Sequence, residues 1–376
     1  LRKIFTGLKK LAQKQTLPLV AAVLAACSCF AVPLDRGYLQ YIDWRVLALL
    51  FSLMLVVAGW QKLGLFRQIG VLLSARVKTV RGLFWVLCGL CFFGSMVITN
   101  DVALITFVPF TIALLGQAGC EAQLIPALVL ETISANLGSM LTPVGNPQNL
   151  YLYSLSGMST GSFVLHMLPL AAFSLLLICA MIRLQKNRPF EGQTAQREPV
   201  LRRGRFWVFT ALFAVAVAGV LRAVPYWAVL AVTAAAVLLM DRTLFTKVDY
   251  SLLASFVFFF VLVGNLGRVE VIRAFLSGAI HGRELWFGIG LSQFVSNVPA
   301  TMLLSGFSRE YGALLWGVNL GGLGTLIASM ASLISYQFYS ALPGARKGRY
   351  FRQFTGYNFA ALAVLVAAAV GLSALG

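Results

Sequence analysis

The chain has 376 residues, of which 59% are hydrophobic and only 11% charged, and its mean hydropathy is +0.85. That balance excludes a soluble domain of this size and marks an all-α polytopic membrane protein. The net charge of +18 would suit nucleic acid in a soluble chain; here the cations sit in short loops between apolar runs, which the positive-inside rule explains with the lipid bilayer and no nucleic-acid partner.

Arg2, Lys3, Lys9, Lys10 and Lys14 precede an apolar run at 17–33. With no convincing small-x-small cleavage signal, this reads as an uncleaved first span. Further spans are predicted at 44–59, 124–150, 162–182, 206–221, 226–240, 251–266, 312–338 and 353–375, about nine in all. Two more apolar runs, 82–116 and 284–308, hold polar centres, Thr99-Asn-Asp101 and Ser296-Asn-Val-Pro-Ala-Thr301. Each fits a re-entrant hairpin with its tip at mid-membrane, or two helices joined by a surface turn. Charge favours hairpins. That choice gathers the N-terminal cations, Lys62, Arg67, Arg76, Lys78, Arg81, the linker 184–205, Arg346, Lys347, Arg349 and Arg352 on one side. The basic side is expected to face the cytoplasm of a bacterial-type inner membrane, with the N-terminus inside and the C-terminus outside.

Within 124–150, the segment Thr142-Pro-Val-Gly-Asn-Pro-Gln-Asn149 cannot continue a helix. Facing lipid, it would strand polar backbone at several kcal/mol per group. A helix break buried in protein or lining a wet cavity is expected, the usual binding device of secondary transporters. The plain alternative is a loop at the membrane surface.

The linker 184–205 separates a first repeat, 1–183, from a second, 222–376, with 206–221 as a linking span. Asp43-Trp-Arg-Val-Leu-Ala48 matches Asp249-Tyr-Ser-Leu-Leu-Ala254, and Asn100-Asp-Val-Ala103 matches Asn297-Val-Pro-Ala300. Asn136-Leu-Gly-Ser-Met-Leu-Thr142 then matches Asn319-Leu-Gly-Gly-Leu-Gly-Thr325 without a gap. Three ordered matches across one linking span predict inverted repeats, with hairpins 82–116 and 284–308 and broken helices 124–150 and 312–338 meeting near the midplane.

The chemistry follows from those tips and breaks. Asn100 and Asn297 offer an oxygen to a cation and an N–H to an anion. Helix N-termini at the tips favour anionic groups, and unwound carbonyls at Gly145 suit sodium. Ser296, Thr301, Asn146, Asn149, Ser329, Thr142 and Thr325 are further candidates, each of which could instead only cap a helix or satisfy a local carbonyl. Asp101 and Glu131 are the carboxylates placed well inside apolar segments, where ionisable groups are usually functional; Glu131 could instead pair with a neighbouring helix. Asp43 and Asp249 start spans, where a carboxylate simply complements the helix dipole. Cys88-Gly-Leu-Cys91 has redox spacing, but its aromatic flanks read as membrane core. With His166 and His281 as the sole histidines, and no nucleophile–base pair or metal motif, an enzyme is not expected, nor a bound cofactor beyond coupling ions.

The order Asp-aromatic-x-Leu-Leu, Ser/Thr-Asn-x-x-Ala, then Asn-x-Gly and Thr-Pro-x-Gly-Asn-Pro-x-Asn resembles the ion transporter superfamily over residues 40–375. That superfamily includes arsenite exporters (ArsB type), sodium/proton antiporters (NhaD type), citrate carriers and divalent-anion:sodium symporters. Thr99-Asn-Asp101 and Gly145-Asn-Pro-Gln-Asn149 resemble the YbiR-like branch of anion transporters most. The resemblance implies a scaffold and an elevator-type transport domain within a homodimer, with sodium and a carboxylate held by Thr99, Asn100 and Asp101, by Ser296, Asn297 and Val298, and by the two breaks, Gly145–Asn149 and Ala328–Ser332. On that resemblance the unwound carbonyl of Ala328 would suit sodium as that of Gly145 does. Asp101 and Val298 depart from the symporter pattern, which has a small hydroxyl residue and a threonine there. The expectation is a secondary active transporter of a small ion, an anion by preference, coupled to sodium or protons. The alternative is a sodium/proton antiporter or an arsenite-type efflux permease.

Overall fold

The computed structural model describes residues 16–75, 77–190 and 203–374. The basic N-terminus, Arg76 and most of the linker lie outside the described residues. Among the described residues the ordered elements are helical, apart from one antiparallel bridge between Thr79 and Pro189.

In the first half, α1 (Thr16–Ser28), α2 (Trp44–Lys62) and α3 (Leu65–Ser74) precede α4 (Val80–Ile98), α5 (Asn100–Gln117), α6 (Leu124–Gly138), α7 (Pro147–Ser156) and α8 (Thr160–Arg183). The second half holds α9 (Arg203–Val220), α10 (Tyr226–Met240), α11 (Tyr250–Arg268), α12 (Glu270–Ile280), α13 (Glu284–Val295), α14 (Asn297–Ser305), α15 (Tyr311–Leu320), α16 (Met330–Ser340) and α17 (Lys347–Ser373).

Local chemistry sets many of these ends. Asp43 and Asp249 each accept a bond from the backbone N–H three residues on, at 3.0 Å, and so cap α2 and α11. Thr79 caps α4 through the Gly82 N–H, and Ser159 caps α8 through that of Ser162. The break after α6 is real. The helix tightens over Ser139–Leu141, opens, and resumes at Pro147 under an Asn146 cap, running to Ser156 rather than ending near 150. Its counterpart opens after Leu320 and resumes at Met330.

Among the described residues, seven helices are long and apolar enough to cross a membrane. This differs from the expected nine because α1, α9 and α10 count only as shorter apolar helices and α15 and α16 are too short to qualify as one span, while α4 and α5 each qualify alone. At about 1.5 Å per residue the 19-residue α4 reaches about 28 Å, close to a full hydrocarbon core. The arms of the second pair are far shorter, with 12 residues in α13 and 9 in α14.

The helices sort by packing. α1 lies on α11, and α2 packs against α9 and α10. Separately, α4 and α5 clasp α6, α13 and α14 clasp α15, α8 and α17 back onto α6, and α16 packs on α5 and α6. Contacts between the two sets run chiefly along α2–α7 and α11–α14. At that seam Tyr151 sets its ring edge-on to Phe256, with centroids 6.1 Å apart, and Gln61 donates to the Thr106 hydroxyl at 3.2 Å.

Gly138 and Gly321 occupy matching positions where a broken helix meets its clasping pair. A Cβ on Gly138 would fall 2.0 Å from the Phe92 carbonyl oxygen, and one on Gly321 2.6 Å from the Ser292 hydroxyl. In lipid, helices associate by such close backbone approach rather than by a hydrophobic drive. Cys88 and Cys91 are buried, as expected of small core residues. His166 stacks on Trp316 and contacts the Gly312 carbonyl at 3.0 Å, so it joins α8 to α15.

Candidate functional site

The two tips have nearly the same backbone. Thr99 adopts φ 71°, ψ 152° and Ser296 φ 76°, ψ 154°, a region that L-residues other than glycine avoid at a cost of about 1–3 kcal/mol. The tip conformation reverses the chain in one residue, so α5 and α14 start at Asn100 and Asn297 with their first N–H groups free of intrahelical partners.

Both tips open on one cleft of about 330 Å³, lined by Asn100, Asp101, Pro147, Gln148, Leu252, Ser296, Asn297, Val298 and Met330. Eight of these nine residues belong to the tips or to the first turns of α5, α7, α14 and α16. Four helix N-termini therefore converge there. Each carries about half a positive charge, and no lysine, arginine or histidine lines the cleft. A larger vestibule of about 880 Å³ adjoins it, reaching from Thr99, Asp101 and Asn146 along α2 to Gln61, Lys247 and Asp249.

Asp101 lines both spaces, and its buried Oδ1 has no hydrogen-bond partner. The Asn100 amide works harder within the protein than the sequence suggested. Its oxygen accepts from the Asp101 N–H and its nitrogen donates to Asn136 Oδ1, both at 3.0 Å. Asn297 donates its backbone N–H to the Ala328 carbonyl at 2.9 Å, and the Ser296 hydroxyl approaches the same oxygen at 3.4 Å. The Ala328 carbonyl thus already accepts the Asn297 N–H, whereas Asp101, the carboxylate that lines the cleft, keeps one oxygen unpartnered.

Other predicted residues serve the frame. Asn149 donates to the carbonyls of Ser139, Met140 and Thr142 at 3.0–3.3 Å, closing the first break on itself. Gly145 packs so tightly there that a Cβ would lie 2.1 Å from the Ser139 carbonyl oxygen. The Thr142 hydroxyl donates to the Met96 carbonyl at 2.5 Å and that of Thr325 to the Gln293 carbonyl at 2.9 Å. Thr301 bonds one turn back to the Asn297 carbonyl at 2.6 Å and does not line the cleft. Glu131 is also away from it, accepting from the Thr111 hydroxyl at 2.5 Å inside the α5–α6 packing. Among the described residues no cluster of histidine, cysteine or carboxylate ligands forms.

The two breaks are tied across the halves. Asn136 Oδ1 accepts from the Ser329 hydroxyl at 3.0 Å, and Asn319 Oδ1 accepts from Asn146 Nδ2 at 3.0 Å. Ser329 and Asn146 hold matching positions when the gapless register is carried forward. Asn136, Asn319 and Gln148 stand inside the sequence motifs of the two breaks, which is the signal that marks them, while Gln293 carries no signal of its own.

These features have relatives. A family model described as citrate transporter matches residues 11–309. The chain belongs to the citrate transporter family. It is 34% identical over 315 residues to inner membrane protein YbiR of Escherichia coli, covering 81% of this chain and 83% of that protein. It is 30% identical over 310 residues to the uncharacterized transporter MJ0456 of Methanocaldococcus jannaschii, at 82% and 84% coverage. A shorter stretch of 135 residues is 36% identical to the silicon efflux transporter LSI3 of rice, covering 36% of this chain and 27% of that one. This family chain is a multi-pass membrane transporter, not an enzyme.

Proposed function

We propose that the protein is a secondary active transporter of a small anion, a carboxylate or inorganic oxyanion, coupled to sodium or protons through Asp101. The observation that carries this reading is the convergence of four helix N-termini on one cleft beside an unpartnered carboxyl. Backbone N–H groups there favour negative charge. Asp101 repels it until a proton or sodium ion neutralises the carboxylate. Anion and coupling ion then bind together, which is the condition for symport.

The helix packing supports an elevator. The sets α1, α2, α9–α11 and α4–α8, α13–α17 meet along a narrow seam, and the vestibule lies on it. Inverted topology is supported by two ion pairs. Lys62 at the end of α2 pairs with Asp241 just before α11, and Arg268 at the end of α11 pairs with Asp35 just before α2. In this reading both tips are re-entrant, the basic side with Lys62 is cytoplasmic, the chain sits in the inner membrane, and it works as a homodimer. Sodium, if it is the coupling ion, is held near Asn100 and Gly145 with Asp101.

A second reading is favoured by the same carboxyl: exchange of sodium for protons, or efflux of an uncharged oxyacid. Proteoliposomes with imposed sodium or pH gradients separate the two, using carboxylates, phosphate, sulfate and arsenite as solutes. Accumulation of an anion down one gradient is the expected result. Sodium–proton exchange with no anion movement would overturn the first reading.

A further inference from the structure

We infer that Gln293 is a positioning residue that does in the second half what Asn149 does in the first. Each break leaves carbonyls with no helical partner, and buried carbonyls need donors. In the first break, Asn149 supplies them from the helix that follows, reaching the Ser139, Met140 and Thr142 oxygens. The matching residue in the second half is Ser332, whose side chain is too short for that task. Its buried hydroxyl has no partner at all.

The donors come instead from the hairpin. Gln293 Nε2 lies 3.0 Å from both the Gly321 and the Leu323 oxygens, and Gln293 Oε1 accepts the Thr325 N–H at 2.9 Å. Its own carbonyl takes the Thr325 hydroxyl at 2.9 Å. Gly324, at φ +106°, leaves room for this: a Cβ there would meet Gln293 Oε1 at 2.2 Å. The residue at the matching place in the first hairpin, three before the tip, is Met96, which has no such amide. One half ties its break from the following helix, the other from the hairpin.

The consequence concerns the cleft. Gln293 precedes Ser296 and Asn297 by one turn of α13, so the second tip and its break move as one unit. In the first half, apart from the Thr142 hydroxyl and the bond from Asn100 to Asn136, the tie is local to α6 and α7. Gln293 does not itself line the cleft and acts through Thr325 and the tip.

The test is hydrogen–deuterium exchange of the full chain in nanodiscs, with uptake measured beside it. Gln293→Met should raise exchange across 321–328 and leave 139–146 as in wild type. Gln293→Glu keeps an acceptor for Thr325 but turns an oxygen toward two carbonyls, and should be at least as damaging. Adding Ser332→Asn to Gln293→Met supplies the first-half solution and should restore protection over 321–328. In uptake, apparent KM should rise tenfold or more in both single variants and recover in the double. Wild-type exchange in Gln293→Met, or no recovery in the double, would overturn the inference. Should Gln293→Met fail to insert, insertion of the double variant decides for the inference and its failure against. The uptake readout rests on the anion-carrier reading; exchange does not. A correct exchange pattern in a protein that moves no anion would therefore overturn that reading alone.

Discussion

Thr142 and Thr325 make the same bond in the two halves of the molecule, each hydroxyl donating to the main-chain carbonyl three residues before the neighbouring tip. Loss of the donor leaves a part-buried carbonyl without its partner, a change of about 1–3 kcal/mol. Thr142→Val and Thr325→Val should both lower the thermal unfolding midpoint by similar amounts. Thr301→Val, whose hydroxyl only bonds back one turn, should lower it less. Equal midpoints for all three variants would deny the tip–break tie a structural role.

Asn100 and Asn297 stand at the two tips on the same cleft. Asn100→Ala and Asn297→Ala should each insert normally and lose affinity for the transported ion by tenfold or more, as expected for loss of a charge-assisted contact of about 1.5–3 kcal/mol. Direct binding measured by thermal shift is the check, since a ligand raises the midpoint by mass action. Near-normal affinity in either variant would leave its amide as a helix cap alone.

Asp101→Asn separates coupling from binding. With a proton as the coupling ion, the amide mimics the loaded carboxyl, so exchange continues while pH-driven accumulation is lost. With sodium, the variant loses sodium dependence and binds the anion weakly. Proteoliposome uptake under each gradient distinguishes these outcomes. Unchanged coupling and affinity would remove Asp101 from the mechanism.

Lys62 and Asp241 form a 2.5 Å pair, and the Lys62 ammonium, followed by the Thr243 hydroxyl, pulls the Asp241 carboxyl down to about 2 from an ordinary 3.8. A depressed carboxylate stabilises the folded state above its unfolded value and loses that contribution as pH falls through its folded one. The window is thus roughly pH 4 to 2. Lys62→Met should flatten this acid limb in a pH series of unfolding midpoints. At neutral pH the effect should stay within about 1 kcal/mol, because the lysine is half exposed.

Topology can be read by single-cysteine labelling in a background without the native cysteines. Positions in 66–75 and 186–190 should react from one side of the membrane, and positions in 270–283 and 309–311 from the other. Labelling of 66–75 and 270–283 from the same side would remove the inverted repeat.

Much of the site was legible because prolines, glycines and amides in an apolar run break helices wherever they stand, and the same break occurs twice in register. The tips and the first break were read from that grammar, the second break from the family pattern, and the aspartates at 43 and 249 from the helix dipole. Side-chain partners were not. Thr142 meets Met96 across 46 residues, and Asn149 turns inward to carbonyls of its own break rather than toward a ligand. Glu131 looked like a second ion site because a carboxylate among apolar residues invites that reading, yet its placement beside Thr111 depends on how α5 crosses α6. Gln293 was invisible since nothing in its neighbourhood of sequence says that Ser332 will be too short.

The positive character of the cleft resides in the main chain. No single substitution can delete it, and no change of pH can titrate it, because backbone N–H groups do neither. Side chains at the rim are therefore free to vary in size and polarity while attraction for negative charge persists. Relatives with altered residues at positions 101, 148 or 298 would keep the field and change the shape and the partner ion. On the anion-carrier reading proposed above, selectivity can drift in this architecture without the site first losing its reason to bind an anion.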